Sequence, residues 1–305
     1  MCKSKDKLFS QIKQEYKSSY KPYYELNLKH KYTTKIRKIA IPSNNLKDIQ
    51  KKICNLLLNK CSTHTCAHAY IKKRSIHTNI KSHLNQNSFF KIDLKDFFFS
   101  ITQEMLIKYL EKNSFEKDDS KAIAHCCTYK GSLPQGAPSS PYISNLILYS
   151  LDKKLYTIAK KNMLSYTRYA DDMAFSGDDI SLEIEQEIRG IIKQEGFIIN
   201  KKKTYISRKA AKRILTGISI VGAQGKLPTK TRRKLSQTIF YIQKYGLNSH
   251  LKKINEFNNK EKYLASLLGK LNFWLQVEPS HMKVSECIKE IKVELLALKS
   301  ANLSY

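Results

Sequence analysis

Acidic residues are scarce in this chain of 305 residues: 26 Asp and Glu stand against 55 Lys and Arg, a formal charge of +29. Long apolar runs are missing, since no stretch approaches the ~18 unbroken apolar residues of a membrane span. The opening Met1-Cys2-Lys3-Ser4-Lys5-Asp6-Lys7 carries charges with no apolar segment behind them, which excludes a secretory signal and points to the cytoplasm. Cysteine is sparse and odd in number, with seven residues scattered at 2, 54, 61, 66, 126, 127 and 287. That pattern excludes a disulfide framework and implies reduced thiols. Glycine (10) and proline (7) are few, and the sequence shows neither a repeat nor a low-complexity linker.

Apolar residues are plentiful: 41% of the chain is hydrophobic and 10% aromatic, which excludes a largely disordered protein. A core of that size predicts one large domain, or two or three sub-domains sharing contacts. The surplus positive charge calls for a polyanion, whose binding also releases condensed counterions. A mere drift toward lysine would have raised the acids too, yet bases outnumber them about two to one. Nucleic acid is the expected partner.

Periodicity predicts a mixed α+β core followed by a basic helical appendage. Strands are expected at Glu25–His30 and Ile36–Ile41 (closed by Pro42), at Ser88–Leu94, and at Ser165–Phe175 as two short strands around Ala170-Asp171-Asp172. Phe197–Ser207 and Ile214–Val221 also read as strands. Helices are expected at Leu46–Cys61, Met105–Glu111, Leu182–Gln194, and from Pro141 to about Ala159, with proline in its favoured first turn. From Thr229 onward the pattern is helical, broken at Gly246 and Pro279, and from Lys226 it holds 15 Lys/Arg against 6 Asp/Glu.

The sharpest chemical signal is Tyr169-Ala170-Asp171-Asp172. Two adjacent carboxylates at a strand turn repel one another unless a cation sits beside them, and a divalent ion with oxygen ligands answers that need. Asp93, ending an apolar strand and followed by Leu94-Lys95-Asp96-Phe97-Phe98-Phe99, is the candidate third carboxylate. Paired metals hold the attacking and leaving oxygens of an in-line phosphoryl displacement, the chemistry of polymerases and nucleases. Asp118-Asp119 and Asp178-Asp179, by contrast, read as ordinary turn residues. Between the two acidic sites lies Gly131-Ser132-Leu133-Pro134-Gln135-Gly136-Ala137-Pro138-Ser139-Ser140-Pro141, a loop whose backbone can approach a ligand and whose Gln135 can hydrogen-bond a nucleotide or template base. Cys61, His64, Cys66 and His68 crowd together and could ligate zinc, but their spacing fits no common zinc pattern.

In this order, Asp93-(x)3-Phe97-Phe98, Leu133-Pro134-Gln135-Gly136 and Tyr169-Ala170-Asp171-Asp172 resemble the consecutive motifs of reverse transcriptases, over about Ile36 to Arg233. Bacterial members fit better than viral ones, and the retron group fits best. That group carries Asn-Ala-x-x-His and Val-Thr-Gly elements, read here as Asn79-Ile80-Lys81-Ser82-His83 and Leu215-Thr216-Gly217, each departing by one residue. The resemblance implies a right-hand polymerase with fingers, palm (an antiparallel sheet plus helices) and thumb. Residues 1–90 would form N-terminal helices and fingers, 91–225 the palm, and 226–305 the basic thumb.

The same resemblance implies residue roles. Asp93, Asp171 and Asp172, with the Leu94 carbonyl, would hold two Mg²⁺ ions, for which Mn²⁺ could substitute. Phe98 would be the steric gate that selects deoxynucleotides, although any of Phe97, Phe98 and Phe99 could simply be core. Arg37 would grip the triphosphate, with a solvated basic face (Lys29, Lys31, Lys35, Lys38) as the competing reading. Lys203 would protonate the leaving pyrophosphate, its register among three consecutive lysines open by one. Asn79 and His83 would serve priming, or else be a helix-cap Asn and a surface His. Leu215, Thr216 and Gly217, and the thumb cations Arg232, Arg233, Lys234, Lys252 and Lys253 beside Phe240, Tyr241 and Tyr245, would meet RNA and primer. Tyr16, Tyr20, Tyr23 and Tyr24 would stack on RNA or anchor the first helix.

Expected partners are dNTPs, a dedicated msr-msd-type noncoding RNA with its branched msDNA product, an effector protein in anti-phage defence, and host RNase H for template removal; no membrane is expected. A group II intron-like enzyme and a non-catalytic RNA-binding scaffold are the alternatives; the first should carry a maturase region of ~100 residues that this sequence lacks.

Overall fold

The computed structural model describes residues 8–14, 23–29, 36–208 and 213–302. The chain divides into two compact units, Met1–Lys209 and Ala210–Tyr305, each with its own buried cluster. Among the described residues no helix is long and apolar enough to cross a membrane.

In the first unit a short helix, α1 (8–14), precedes an antiparallel ribbon of β1 (Tyr23–Lys29) and β2 (Ile36–Pro42). His30, Lys31 and Lys35, like Tyr16 and Tyr20, lie outside the described residues. Helix α2 (Asn44–Lys60) starts at Ser43, whose Oγ accepts from the Leu46 amide at 3.3 Å. It buries Leu46, Ile49, Ile53, Leu56 and Leu57, the apolar stripe expected from its spacing. Helix α3 (Ile76–Lys81) follows, capped by Ser75.

The second sheet positions the site. Its strands β3 (Ser88–Asp93), β4 (Ser165–Tyr169), β5 (Asp172–Gly177) and β6 (Tyr205–Arg208) run in the order β4-β5-β3-β6, all antiparallel. Phe90 and Ile92 face the core while Phe89, Lys91 and Asp93 share the other face, as the strand period of two requires. Helices α4 (Gln103–Lys112), α5 (Lys117–Cys127), α6 (Ser140–Ile147), α7 (Tyr149–Lys161) and α8 (Leu182–Gln194) complete this unit.

The structure corrects several expectations. The helix expected from Pro141 to Ala159 is two helices, because the backbone flattens at Leu148 (φ −76°, ψ 0°), which ends α6 and opens α7. Of Phe197–Ser207 only the last three residues fall in a strand, β6: Asn200 folds back so that its amide donates to the Asp93 carbonyl at 2.8 Å, and residues 201–203 turn. Asp118 and Asp119 occupy the first turn of α5, where the helix dipole favours acids, rather than a loop.

The second unit begins with a three-stranded meander of β7 (Arg213–Leu215), β8 (Ile218–Val221) and β9 (Gln224–Lys226). The single strand expected at Ile214–Val221 is thus a hairpin, turned at Thr216 (φ 48°) and Gly217 (φ 81°). Positive φ at both central residues is the geometry that a two-residue hairpin loop demands. Helices α9 (Thr229–Tyr245), α10 (Leu247–Lys253), α11 (Lys260–Val277) and α12 (Met282–Asn302) follow, with Gly246 at positive φ breaking the first two. Their core is Leu235, Ile239, Ile242, Leu264, Leu271, Trp274 and Val284.

Candidate active site

Asp93 and Asp172 are direct partners across the β3–β5 ladder. Like charges directly opposite in a sheet destabilise it, so this pairing needs a positive neighbour. Two lysines supply it. Lys203 Nζ reaches Asp93 Oδ2 at 2.8 Å, and Lys91, diagonal on the same face, reaches Asp172 Oδ1 at 2.9 Å. Of the three consecutive lysines it is Lys203 that makes this contact. The Asn200 amide group donates to Asp93 Oδ1 at 2.9 Å, occupying its second oxygen.

Asp171 sits in the two-residue loop between β4 and β5, and Asp172 opens β5 rather than lying within the turn. The Leu94 amide donates to the Asp171 carbonyl at 3.0 Å, tying the loop to the end of β3. Ala170 takes a left-handed conformation (φ 57°), an uncommon setting for a residue with a Cβ. Burial pushes the Asp171 carboxyl above the ordinary range, helped by Asp172 and then Asp93. Burial raises Asp172 as well, opposed by Lys91. The hydrogen bond to Asp93, against some loss of hydration, raises Lys203 and keeps it charged.

The hairpin is anchored by a group that sequence reasoning missed. Arg168 is fully buried and forms a bidentate pair with Asp152 on α7, at 2.8 Å (Nε to Oδ1) and 2.6 Å (Nη2 to Oδ2). Its Nη1 donates to Asn145 Oδ1 at 3.0 Å and to the Ala170 carbonyl at 3.2 Å. Neither β4 (Ser165-Tyr166-Thr167-Arg168-Tyr169) nor the lysine-rich α7 is apolar enough for either charge to stand out in sequence; buried in the fold, the two are tolerated because they pair.

Asn79 and His83 are not a cap and a surface histidine, since both are fully buried. Thr167 Oγ1 donates to Asn79 Oδ1 at 2.7 Å, so His83 Nε2, 2.7 Å from Thr167 Oγ1, donates to that hydroxyl oxygen. The Nδ1 atom therefore accepts from Ser176 Oγ at 2.6 Å. These side chains brace β4 and β5 behind the acidic hairpin and present no surface to a nucleic acid.

The 131–141 loop docks on β2: the Ala40 amide donates to the Gln135 carbonyl at 2.9 Å. A Cβ on Gly136 (φ 129°) would stand 2.8 Å from the Ala40 carbonyl oxygen, so this close approach requires glycine. The three phenylalanines separate cleanly. Phe97 is core, Phe99 is exposed, and Phe98 lines a cavity of about 350 Å³ with Tyr70, Lys47 and the turn around Gly136. Arg37 and Lys38 are exposed on β2. In the second unit Leu215 is buried at the hairpin, Arg232 is half-buried, and Arg233 and Lys234 are exposed on the first turns of α9.

The donors fit a hard divalent cation: they are carboxylate oxygens, two of them held above their ordinary pKa by burial and by neighbouring carboxylates. Among the described residues no three His, Cys, Asp or Glu side chains are already gathered into a metal cage. At the cysteine-histidine crowd, His64 Nδ1 meets Cys66 Sγ at 3.2 Å and His68 Nδ1 meets Thr78 Oγ1 at 2.8 Å, so these groups bond separately.

The profile of the family described as reverse transcriptase (RNA-dependent DNA polymerase) matches residues 28–268. Among curated proteins, the retron Ec86 reverse transcriptase of Escherichia coli is 30% identical, over 85% of this chain and 77% of its own. The chain belongs to the retron-type reverse transcriptases. The retron Ec83 reverse transcriptase of the same organism is 29% identical over 86% of this chain and 85% of its own. Membership carries the activity: the protein is an RNA-directed DNA polymerase. Among solved structures, apo telomerase from Candida tropicalis superposes with a TM-score of 0.55 at 11% identity, covering 92% of this chain and 58% of that one. Telomerase from Candida albicans gives 0.51 at 9%, covering 93% and 65%. These likenesses show the fold alone, the α+β polymerase architecture expected from the motifs.

Proposed function

We propose that this reverse transcriptase copies part of a structured msr-msd-type noncoding RNA into msDNA, a branched product in which DNA starts from a 2′-OH of the RNA. The observation that carries the catalytic part is Asp93 facing Asp172 across the ladder, beside Asp171 and beneath Lys203. Asp93, Asp171 and Asp172, with the Leu94 carbonyl, would hold two Mg²⁺ ions (or Mn²⁺), which when bound activate the primer hydroxyl and stabilise the leaving oxygen.

The chain's own residues do the rest. Lys203, held charged at Asp93, can give a proton to the departing pyrophosphate oxygen. Phe98, lining the cavity beside the Gly136 turn, would clash with a 2′-OH and so favour dNTPs. Gln135 lies on the loop fixed to β2, and Arg37 on that strand offers a bidentate fork to phosphate. Residues up to about 90 would act as fingers, 91–225 as palm, and 226–305 as thumb. Leu215, Thr216 and Gly217, with Arg232, Arg233 and Lys234, would then track RNA and primer.

The named retron relatives support the choice of a dedicated RNA. On that likeness also rest a cytoplasmic setting, template removal by a host RNase H, and service with an effector protein in anti-phage defence. The test is the nucleic acid that copurifies with the protein. A species with an RNase-sensitive part and a DNA part joined 2′–5′ is expected; DNA with an ordinary 5′ end, or no covalent RNA–DNA junction, would refute retron priming.

A further inference from the structure

The β1–β2 ribbon pairs only with itself, and a two-stranded ribbon is marginal in water, so its position depends on what its faces touch. The register puts Tyr23, Glu25 and Ala40 on one face and Leu28 and Arg37 on the other. The first face docks on a tight turn, Tyr129-Lys130-Gly131-Ser132, closed by the Tyr129 amide donating to the Ser132 carbonyl at 2.8 Å. Lys130 (φ 52°) and Gly131 (φ 81°) are both left-handed, as a two-residue hairpin loop requires. The half-buried Tyr129 ring lies against that of Tyr23, with centroids 4.6 Å apart and planes at 30°. Lys130 lies 5.2 Å over the Tyr129 ring and pairs with Glu25. The buried Gln50 of α2 fixes the far end of Tyr23, donating to its hydroxyl and to the Cys126 carbonyl, each at 2.8 Å.

The other edge of the turn is tied to the segment that follows Phe98. The Gln103 amide donates to the Gly131 carbonyl at 2.9 Å, and the Leu133 amide to the Ile101 carbonyl at 3.0 Å. The Ile101 amide in turn donates to the Phe98 carbonyl at 3.2 Å. The turn also runs straight into the loop carrying Gln135, whose carbonyl takes the Ala40 amide. One turn therefore meets the ribbon bearing Arg37, the loop bearing Gln135 and the backbone bearing Phe98. We infer that Tyr129 is a positioning residue for the incoming deoxynucleotide: its stack on Tyr23 clamps the ribbon so that Arg37, on the undocked face, keeps one frame with Gln135 and Phe98. The inference rests on the reading that those three residues meet the nucleotide. Tyr129 outweighs the neighbouring ion pair, because Lys130 and Glu25 are 68% and 51% exposed and such pairs contribute little. A half-buried ring pair adds stacking to its buried area. A ribbon undocked part of the time binds nucleotide in only part of the population, which raises KM and leaves kcat at saturation unchanged.

The test uses the full chain, a primed RNA template and a series of dNTP concentrations. Tyr129→Ala should raise KM for dNTP about tenfold, as a docked fraction cut to about one-tenth requires, with kcat within about twofold of the parent. Tyr129→Phe, which keeps the ring, should match the parent. In an Arg37→Ala background the Tyr129→Ala change should add less than it does alone, since a residue acting through Arg37 loses that effect once Arg37 is gone. Hydrogen exchange reads the clamp with no nucleotide and no catalysis: the β1 and β2 amides should exchange faster in Tyr129→Ala, and those of α11 as in the parent. A fall in kcat with KM unmoved would leave Tyr129 a residue of the fold only, and unchanged exchange in the ribbon would remove the clamp. An unmoved KM in Arg37→Ala alone would instead sink the role given to Arg37, so the clamp and the nucleotide reading fail separately.

Discussion

At the residue scale the site is governed by negative charge that Lys203 and Lys91 offset only in part. Asp171 and Asp172 are both raised by burial, and Asp171 further by its neighbours. Asp171→Asn should therefore abolish template-directed incorporation while melting at or above the parent temperature; a melting point several degrees lower would show that the carboxylate supports the fold instead. His83 gives a pH signature of its own. Burial lowers its pKa from the ordinary 6.5 to about 3, so the folded ring stays neutral where the unfolded ring takes up a proton. The unfolded state binds more protons in that window, so this contribution to stability is full above pH 6.5 and lost as pH falls toward 3. Unfolding free energy should drop by up to about 1.4 kcal/mol per pH unit there. Denaturant titrations at several pH values should show that slope in the parent and a shallower one in His83→Gln. Phe98→Ala should raise incorporation of ribonucleotides relative to deoxynucleotides, read by primer extension with each class.

At the element scale the acidic hairpin depends on its anchor more than on its own turn. Removing one partner of a buried ion pair strands the other, at about 3–5 kcal/mol. Arg168→Met should cost that much in chemical unfolding, and adding Asp152→Leu should recover most of it, the coupling expected of groups in contact. If the two losses simply add, the pair is not the anchor. Gly136→Ala should strain the loop against the Ala40 carbonyl and reduce incorporation, with a cost of about 1–3 kcal/mol. This scale also marks where the sequence was legible. Helix α2 was readable because its apolar positions keep the helical period, and strand β3 because Phe89, Phe90 and Ile92 make a short aromatic and β-branched run. The break at Leu148 was not, because no Gly or Pro marks it in the sequence. The turn at 201–203 read as strand because it is set by Asn200, whose amide donates to the Asp93 carbonyl far away in sequence while its own carbonyl takes the Lys203 and Thr204 amides. The acidic triad was visible from motif order, whereas Lys91, Asn200 and the Arg168–Asp152 pair became visible only through the fold, since each acts through a distant residue.

At the scale of the whole molecule, a charge of +29 makes nucleic-acid affinity a salt-dependent quantity. A protein that neutralises six or more phosphates should lose about 10³-fold in affinity between 50 and 200 mM salt; a flat salt response would remove the electrostatic basis of the account. The two units, each with its own core, give the chain the facing carboxylates Asp93 and Asp172 in one and a strongly basic helical surface in the other. The central claim is that Asp93, Asp171 and Asp172 act together on an incoming deoxynucleotide. Its most direct test is labelled dNTP incorporation on a primed RNA template, with EDTA and then with magnesium restored, in the parent and in Asp93→Asn, Asp171→Asn and Asp172→Asn. The account predicts incorporation that EDTA stops and magnesium restores in the parent, and none in any variant; incorporation by a variant at the parent rate would contradict it.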